Sequence, residues 1–490
     1  MSSTALNQDA LGTLPGNVTV PSYDRSALSA GIVHIGVGNF HRAHQAIYMD
    51  RLFSLGEDQD WGLVGAGIKQ YDVAMRSKLM AQDWLSTIVE LDPSGFTARI
   101  CGSMIDFVDV DPVALIDRLA EPDIRIVSLT ITEGGYFVDE STGGFNASHP
   151  DVQFDIENAH APQTVFGVLI AAIKKRRENG LNPFTIMSCD NLPENGVVAR
   201  QSVLEMAKLM SSDLAEWIAS NIAFPNSMVD CITPATSDRE KAMVADNFGV
   251  CDSVPVACEP FRQWVLEDNF PSGRPALEKV GVEFVKDVAP YELMKLRILN
   301  GGHAAIAYPA ALMGIHFVHD AMAEPCITGF LSKLENDEII PTVPAVPGMN
   351  FHKYLEQVMV RFSNKEVGDT IPRLCFDGSN RQPKFILPTI FERLSGDLPV
   401  EGLALEVALW CRYCAGTDDE GNHIDVGDEN VDRLRANALL AKSNPKAFLD
   451  MVDIFGTLGT NEKFVKAFSS ALESLWANGT KATLSAYISS

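Results

Sequence analysis

The chain has 490 residues, more than one hydrophobic core normally organises, so two domains are expected. Hydrophobic residues make up 46% and charged residues 21% of the chain, a composition typical of globular proteins and not of disordered or fibrous ones. The formal net charge of −25 argues against nucleic acid or an anionic membrane surface as a partner.

The cysteines indicate a reducing compartment. There are nine, dispersed along the chain, and this odd number does not suggest a disulfide framework. Cys411 and Cys414 form one C-x-x-C pair, but no second pair completes the spacing of a zinc site. The sequence shows neither a signal peptide nor an apolar stretch of the roughly 20 residues that cross a bilayer. The expected location is the cytoplasm.

The first half of the chain alternates short β-branched runs with helical stretches, which predicts a mostly parallel sheet covered by helices. The predicted strands are 32–37, 63–65, 124–130, 184–188 and 254–258, and the predicted helices are 113–119 and 164–177. Two further runs, 85–89 and 97–100, flank an Asp-Pro-Ser-Gly turn. We predict that they form a hairpin inserted in the sheet.

The pattern changes after the Pro- and Gly-containing run 271–275. From about residue 290 the apolar periodicity is helical, with predicted helices at 291–306, 320–334, 351–362, 402–414 and 461–477. We therefore predict an α/β domain over residues 1–284 and a mainly α-helical domain over residues 285–490.

The first predicted strand runs directly into G-V-G-N-F-H-R-A-H, residues 36–44. Glycines at a strand-to-helix turn let backbone N–H groups approach a pyrophosphate. The third glycine of the dinucleotide fingerprint is replaced by His41, and a plain tight turn is the alternative. The position of the run favours a Rossmann-like domain. The cofactor-binding residues expected in it are Gly36, Gly38, Asn39, Phe40 and Arg42.

Three histidines, His34, His41 and His44, lie in and beside this run. No cysteine or carboxylate cluster accompanies them, so we expect packing and loop hydrogen bonds there and no metal.

The second strand would ordinarily end in an acid that binds the ribose 2′-hydroxyl of NAD. Here Lys69 stands at that point and Asp72 follows three residues later. A lysine can receive the 2′-phosphate of NADP or simply remain in solvent. NAD is the expected cofactor, with NADP as an open alternative.

Polar residues follow two of the predicted strands. Thr132 and Glu133 come after 124–130, and Asp190 and Asn191 come after 184–188. Ligands of open α/β sheets meet the carboxyl ends of strands, so both runs are expected at the site, with Thr132 and Glu133 as cofactor contacts. An Asx-turn would explain the second run without a function.

The helix predicted from about residue 290 carries the most informative residues. At about 100° per residue, Glu292, Lys295, Asn300 and His303 share one arc together with two leucines. A solvated helix face does not normally mix these residues, so the pattern indicates a half-buried catalytic cluster. A surface lysine with capping neighbours is the alternative.

Such a cluster suits the oxidation of a secondary alcohol by hydride transfer. That reaction needs a base for the hydroxyl proton and donors for the developing alkoxide. Desolvation lowers the pKa of a lysine ammonium towards neutrality, which makes lysine a usable base. Amide donors such as Asn191 and Asn300 can hold an oxyanion without competing for the proton, so no zinc is required.

At these residues the chain resembles the polyol-specific long-chain dehydrogenase/reductase family, and in particular its mannitol-oxidising members. The resemblance extends over nearly the whole length, in the runs 31–46, 124–136, 184–196, 224–234, 258–270, 294–303 and 361–379. Its most specific parts are Lys-x4-Asn-x2-His from residue 295 and Ser-Cys-Asp-Asn from residue 188.

The resemblance implies a monomeric enzyme that uses NAD(P) and no metal to oxidise a linear polyol to its ketose. D-Mannitol to D-fructose is the expected reaction, and D-arabinitol and D-sorbitol are further candidates. Lys295 is implied as the general acid/base, with Asn191 and Asn300 at the oxyanion. Residues implied to contact the substrate or lie near the proton path are His303, Asp230, Arg373, Arg381 and Glu292. Arg381 replaces the lysine that is usual in the family.

Two other functions stay open at this point. Fructuronate reductases share much of the pattern, including Phe261-Arg262-Gln263-Trp264, whereas Arg373 and the run 383–385 favour the polyol enzymes. A protein that binds NAD without turnover is the other alternative. It would give no reason for Lys295, Asn300 and His303 to share a helix face.

Overall fold

The computed structural model describes residues 3–139 and 143–490. The chain divides into two compact units, Met1–Ala289 and Pro290–Ser490. The sequence pattern places the boundary slightly earlier, between residues 284 and 285.

The strands all lie in the first unit. In chain order they are β1 (Thr4–Ala5), β2 (Val18–Thr19), β3 (Ala30–Ile35), β4 (Gly62–Ala66), β5 (Ser86–Glu90), β6 (Thr97–Cys101), β7 (Met104–Phe107), β8 (Ile126–Leu129), β9 (Thr185–Ser188), β10 (Ser227–Asp230), β11 (Val250–Cys251), β12 (Val256–Cys258), β13 (Gln263–Glu267) and β14 (Glu283–Val285). The helices of this unit are α1 (Asn39–Ala43), α2 (Gln45–Ser54), α3 (Gln70–Met80), α4 (Pro112–Leu119), α5 (Pro150–Glu157), α6 (Val165–Glu178), α7 (Asn195–Met210), α8 (Ser212–Asn221) and α9 (Asp238–Phe248).

The centre of the first unit is a five-stranded sheet of order β7-β4-β3-β8-β9, in which every pairing is parallel. Strands β4, β8 and β9 are buried on both faces, as is usual for parallel strands covered by helices. Apolar side chains of α4, α6, α7 and α8 pack on one face and those of α2 on the other. The chain builds outwards from β3 in both directions, so the sheet has a topological switch point between β3 and β8. The predicted Rossmann-like fold is confirmed.

Two predictions about the sheet are wrong in detail. The hairpin β5–β6 exists, but it belongs to a separate four-stranded sheet of order β12-β5-β6-β2 and is not inserted in the parallel sheet. The predicted strand 254–258 joins that same second sheet, as Val256–Cys258. A short apolar run specifies a buried strand without specifying its neighbour, because the neighbour is chosen by tertiary packing.

The second unit is mainly helical, as predicted. Its helices are α10 (Ala289–Met294), α11 (Gly301–Leu312), α12 (Val318–Ala323), α13 (Pro325–Leu334), α14 (Phe351–Phe362), α15 (Ile371–Cys375), α16 (Gly378–Phe385), α17 (Leu387–Ser395), α18 (Glu401–Cys414), α19 (Val431–Ala441), α20 (Lys446–Leu449), α21 (Val452–Phe455), α22 (Glu462–Asn478) and α23 (Thr480–Ser489). The structure describes residues 290–490 without a gap, and β-structure among them is limited to isolated bridges. The predicted helix 320–334 is in fact two helices, because Pro325 starts the second one.

The helix predicted over 291–306 contains a π-helical segment. An α-helix over Ala289–Met294 is followed by π-helix over Lys295–Asn300 and again by α-helix from Gly301. The assumption of about 100° per residue therefore fails where it matters most. In an α-helix Lys295 and Asn300 would point about 140° apart, whereas i→i+5 winding sets them on successive turns of one side.

A second π-helical segment, Glu335–Ile339, follows α13 and contains a buried carboxyl group. The Glu335 side chain is 0% exposed, and neither carboxyl oxygen has a hydrogen-bond partner among the residues that the structure describes. A Cβ placed on Gly302 would lie 3.5 Å from Glu335 Oε1, so the carboxyl packs against the helix that follows Lys295. Burial raises the pKa of Glu335 well above its ordinary value.

We expect Glu335→Gln to weaken the pH dependence of stability. The folded chain keeps the Glu335 proton at a pH where the unfolded chain, titrating near about 4.3, has released it. The free energy of unfolding is therefore highest below that value and falls as the pH rises. Melting temperatures measured from pH 5 to 8 should fall less in the variant than in the native chain. The exposed Glu473, replaced in the same way, serves as the control, and identical slopes in all three proteins would contradict the expectation.

Candidate active site

The turn after β3 is shaped by two glycines with different roles. Gly36 has φ +98°, and a Cβ there would lie 2.1 Å from the carbonyl oxygen of Thr130, so only glycine fits. At Gly38 a Cβ would meet nothing closer than 3.9 Å, because this position faces open space. A backbone that approaches a neighbouring strand and leaves an open concave side is what a pyrophosphate requires.

The histidines near this turn are held by packing and hydrogen bonds. His34 Nδ1 lies 2.8 Å from Ser128 Oγ, and His34 Nε2 lies 2.9 Å from Thr130 Oγ1. The ring of His41 stacks on that of His34 at 3.4 Å. Over residues 3–139 and 143–490, no group of three or more His, Cys, Asp or Glu side chains is arranged to hold a metal ion.

The polar side chains of the turn are used to hold the turn itself. Arg42 is 1% exposed, and its guanidinium donates to the carbonyl oxygens of Gly38 and Val254 and to the Asn39 side chain. Asn39 Nδ2 in turn donates to Pro234 O at 3.1 Å. Both side chains are therefore engaged within the protein, and the backbone N–H of Arg42 also donates to Gly38 O.

A cavity of about 110 Å³ lies at the carboxyl ends of β3, β4 and β8. Three of the eight predicted cofactor residues line it: Gly36, Lys69 and Thr132. The other five are not among its walls: Gly38, Asn39, Phe40, Arg42 and Glu133. This is the switch point of the sheet, where open α/β folds bind their ligands. The cavity and the open side of Gly38 together fit the phosphate and adenosine parts of a dinucleotide.

Asp72, the acidic residue that lines this cavity, accepts hydrogen bonds from the backbone. The N–H groups of Ile68 and Lys69 donate to Asp72 Oδ2 at 3.0 and 2.8 Å. Burial raises the pKa of Asp72, although these hydrogen bonds oppose the effect. The exposed Lys69 is then the charged side chain on the cavity wall that has most freedom to meet a ligand.

Asp190 is a site residue whose role the sequence did not reveal. The N–H groups of Ile131 and Thr132 donate to its carboxylate at 3.0 and 2.8 Å, and the Tyr136 hydroxyl donates at 2.6 Å. Thr132 is held at φ +63°, an unfavourable conformation for a β-branched residue. Asp190 thus fixes the loop after β8, and the exposed Asn191 comes immediately after it in the chain. The position after a strand was the available signal, but an Asx-turn accounts for it equally well.

Asp230, the remaining predicted site residue of the first unit, is the last residue of β10. It is 5% exposed and pairs with Gln263 in an antiparallel register. This third sheet, of order β10-β13-β14, fixes its backbone on a rigid edge.

In the second unit, Glu292 and Lys295 are both 9% exposed. The alternative of a solvated surface lysine is therefore wrong. Asn300, at the other end of the π-helical segment, is half-buried.

His303 is arranged as a neutral hydrogen-bonding group. Its ring stacks on Phe362 at 4.2 Å, and its Nε2 is buried without a hydrogen-bond partner in the described chain. Burial lowers the pKa of His303 well below its ordinary value, and the positive charges of Arg373 and Arg381 lower it further. The imidazole is therefore uncharged at neutral pH.

The two predicted substrate arginines are partly committed to the protein. Arg381 Nη1 donates to Leu374 O at 2.9 Å and to two neighbouring carbonyls of the same turn. Arg373 is exposed and forms a bidentate ion pair with Asp369. Its Nε donates to Asp369 Oδ1 at 2.6 Å, and its Nη2 donates to Asp369 Oδ2. Arg381 lines one small cavity together with Asn300 and His303, and Arg373 lies outside its walls.

The family follows from comparison with known proteins. Residues 30–279 match the model of the mannitol dehydrogenase Rossmann domain, and residues 287–476 match that of the mannitol dehydrogenase C-terminal domain. The chain belongs to the mannitol dehydrogenase family. The expectation of a dehydrogenase is thereby confirmed, and with it the resemblance inferred from the sequence runs. None of the described helices combines the length and apolarity needed to cross a bilayer.

Relatives of known name align over almost the whole chain. A mannitol 2-dehydrogenase of Cereibacter sphaeroides is 53% identical over 474 residues, covering 96% of this chain and 99% of the relative. The mannitol 2-dehydrogenase of Phaeosphaeria nodorum is 42% identical over 488 residues, and the alignment covers 98% of this chain and 85% of the relative. The solved ternary complex of Pseudomonas fluorescens mannitol 2-dehydrogenase with NAD and D-mannitol is 42% identical, with a TM-score of 0.89 over 99% and 100% of the two chains. A substrate-free D-sorbitol dehydrogenase is 35% identical, with a TM-score of 0.91 over 98% and 100%.

We expect Asp190→Asn to weaken binding of the dinucleotide. An amide offers one acceptor oxygen where the carboxylate accepts three hydrogen bonds, so the loop that carries Thr132 loses its support. Loss of a buried acceptor should cost about 1–3 kcal/mol of stability and raise the Kd for NAD measured by calorimetry. Asp111→Asn, which alters an exposed carboxylate that accepts from the N–H of Ala114, is the matched control. Unchanged NAD affinity in a folded Asp190→Asn protein would remove Asp190 from the cofactor site.

Proposed function

We propose that the protein is an NAD-dependent, metal-independent polyol dehydrogenase that oxidises D-mannitol to D-fructose with Lys295 as the general acid/base. The observation that carries the proposal is a buried lysine on a π-helical segment, with Asn300 one turn away, in a chain of the mannitol dehydrogenase family. π-helical segments inside α-helices are frequent at functional sites.

The choice of substrate draws on the relatives. Three of the relatives above carry the name mannitol 2-dehydrogenase, and the Pseudomonas fluorescens enzyme is solved with NAD and D-mannitol. D-Sorbitol is the second candidate, because a D-sorbitol dehydrogenase has a comparable likeness in structure at lower identity. A uronate substrate is less favoured, since Arg373 and the run 383–385 resemble the polyol enzymes and the relatives are named for mannitol or sorbitol.

The chemistry assigns one task to each residue. The nicotinamide, when bound, supplies the hydride acceptor. The neutral amine of Lys295 takes the hydroxyl proton, and the same group as an ammonium returns a proton to the ketose oxygen in the reverse direction. The side-chain amides of Asn191 and Asn300 donate to the oxygen as its negative charge develops.

His303 is better suited to holding a substrate hydroxyl than to taking its proton. A group whose pKa is lowered well below its ordinary value is a weak base at neutral pH. The same cationic surroundings, which include Arg361 and Arg381, disfavour an imidazolium. We therefore assign the proton transfer to Lys295 and a positioning contact to His303, with Asp230 and Arg381 as further hydroxyl contacts and Glu292 beside the proton path.

We expect D-mannitol and NAD together to yield D-fructose and reduced nicotinamide. The rate at the reduced-nicotinamide wavelength should be higher with D-mannitol than with D-sorbitol, D-arabinitol or D-mannonate. Chromatographic detection of D-fructose identifies the oxidised carbon. A preference for D-mannonate would instead favour the fructuronate reductase alternative, and no turnover of any of the four would favour a non-catalytic protein.

We expect Lys295→Ala to lower turnover by about 10²–10⁴-fold, the usual loss when a general acid/base is removed. The Kd for NAD should change little, because the cavity assigned to NAD is lined entirely by the first unit. Small primary amines should restore part of the rate. Lys463→Ala, which removes an exposed lysine paired with Asp397, is the control. Near-normal turnover in the Lys295 variant would assign the proton transfer to another group.

We expect Lys69→Asp to shift cofactor preference towards NAD. The ammonium of Lys69 lies on the cavity wall and would attract the 2′-phosphate of NADP, whereas the carboxylate of Asp72 is held by backbone N–H groups. The ratio of kcat/KM for NAD to that for NADP should rise at least about tenfold, as expected for losing a charge-assisted contact. Lys78→Asp makes the same charge change on the exposed side of α3. If both variants shift the ratio equally, Lys69 is not the selector.

A further inference from the structure

A buried glutamine–glutamate pair stands behind the cavity that contains His303. Gln382 on α16 is 1% exposed and Glu406 on α18 is 0% exposed. Gln382 Nε2 donates to Glu406 Oε1 at 2.7 Å. Helix α18 is buried from Gly402 to Cys414, so Glu406 is held on a rigid element. Burial raises the pKa of Glu406 to about 8.

The pair is satisfied at one end only. Gln382 Oε1 and Glu406 Oε2 have no partner within hydrogen-bond geometry among the residues described, although the Tyr308 hydroxyl also interacts with the Gln382 side chain. A second buried glutamine shows the ordinary arrangement: Gln82 Nε2 donates to Asp252, and Gln82 Oε1 accepts from the N–H of Ser253. A buried polar atom without a hydrogen bond lowers stability by about 1–3 kcal/mol. A ligand that donates a hydrogen bond to Gln382 Oε1 would remove this cost.

Two residues that have unpaired buried atoms, Gln382 and His303, line one small cavity. Gln382 lines it together with Asn300, His303, Tyr308 and Arg381, and its volume of about 10 Å³ takes one water-sized group. His303, which lines the same cavity, has a buried Nε2 without a hydrogen-bond partner in the described chain. Both unpaired groups therefore border a space that fits a single oxygen atom with its proton.

The chemistry of the two groups selects a hydroxyl. Because Glu406 holds the amide nitrogen of Gln382, the carbonyl oxygen is the end that can meet a ligand, and it only accepts hydrogen bonds. The neutral imidazole of His303 can donate from Nε2. A hydroxyl group donates to the first and accepts from the second, whereas an ionised carboxylate has no proton to donate and a methyl group satisfies neither.

We propose that Gln382, His303 and the cavity between them form a subsite for one hydroxyl group of the polyol, with Glu406 as the residue that positions Gln382. The inference rests on the proposed function and extends it, because it assigns a specificity contact and its support to residues that the sequence motifs did not include. A site built to hydrogen-bond a hydroxyl discriminates strongly against an analogue that lacks it.

The subsite is tested by combining a protein substitution with the removal of single hydroxyl groups from the substrate. kcat/KM is measured for D-mannitol and for analogues that each lack one hydroxyl, with native protein and with Gln382→Met. The native protein should discriminate against one analogue by at least about tenfold more than Gln382→Met does, because the variant has already lost the contact. An equal loss for every analogue would mean a buried water or a purely structural role and would overturn the proposal.

The role of Glu406 has its own pair of variants. Glu406→Gln keeps an acceptor for Gln382 Nε2 and should keep the discrimination, whereas Glu406→Leu removes it and should lose the same hydroxyl preference. This pair also decides the matter if Gln382→Met does not fold. Equal discrimination in Glu406→Leu and the native protein would exclude the positioning role.

Two controls distinguish a failure of the subsite from a failure of the proposed function. Gln82→Met removes the fully satisfied glutamine of the first unit and should lower stability without altering the ratio among analogues. The Kd for NAD should stay unchanged in every Gln382 and Glu406 variant. Absence of D-mannitol oxidation by the native protein would refute the proposed function, whereas oxidation without any coupling to a single hydroxyl would refute only the subsite.

Discussion

Loops that leave the carboxyl edge of a parallel sheet carry backbone N–H groups that no neighbouring strand can pair, and buried ones must find other acceptors. In this chain carboxylates supply them. Asp72 accepts from the turn after β4, and Asp190 accepts from the turn after β8. The cavity between these turns keeps its shape because both acids face the protein and not the ligand. Its charge towards a ligand is then set by Lys69.

The helical unit has positively charged side chains concentrated around His303. The chain has a net charge of −25, yet His303 is surrounded by Arg361, Arg373, Arg381 and Lys295. Asp369 neutralises Arg373, and Arg381 Nη1 donates to backbone carbonyl oxygens. What remains is a polar surface with donors in excess of acceptors. Gln382 Oε1 matters in it because it adds an acceptor.

Long periodic patterns made the architecture readable from the sequence. The doubly buried strands β4, β8 and β9 and the long helices α14, α18 and α22 have local signatures. The sheet joined by Val256–Cys258, the π winding after Met294 and the loop-fixing role of Asp190 do not. Each of these depends on contacts between segments far apart in sequence. Gln382 and Glu406 illustrate the limit, since mid-helix polar residues 24 positions apart form a pair only once two helices pack.

The π-helical segment has a consequence for how the chain can tolerate changes in length. A turn closed by i→i+5 bonds holds one residue more than an α-helical turn. Deleting a single residue between Lys295 and Asn300 can therefore convert the segment to ordinary α-helix while the flanking helices Ala289–Met294 and Gly301–Leu312 keep their packing. The lysine and the amide would then be four residues apart, which in an α-helix is again one side, so the pair would stay together. Inside the flanking α-helices the loss of one residue would instead rotate every later side chain by about 100° and move it off its packing face. The π-helical segment is therefore the part of this helix in which a one-residue deletion disturbs the structure least.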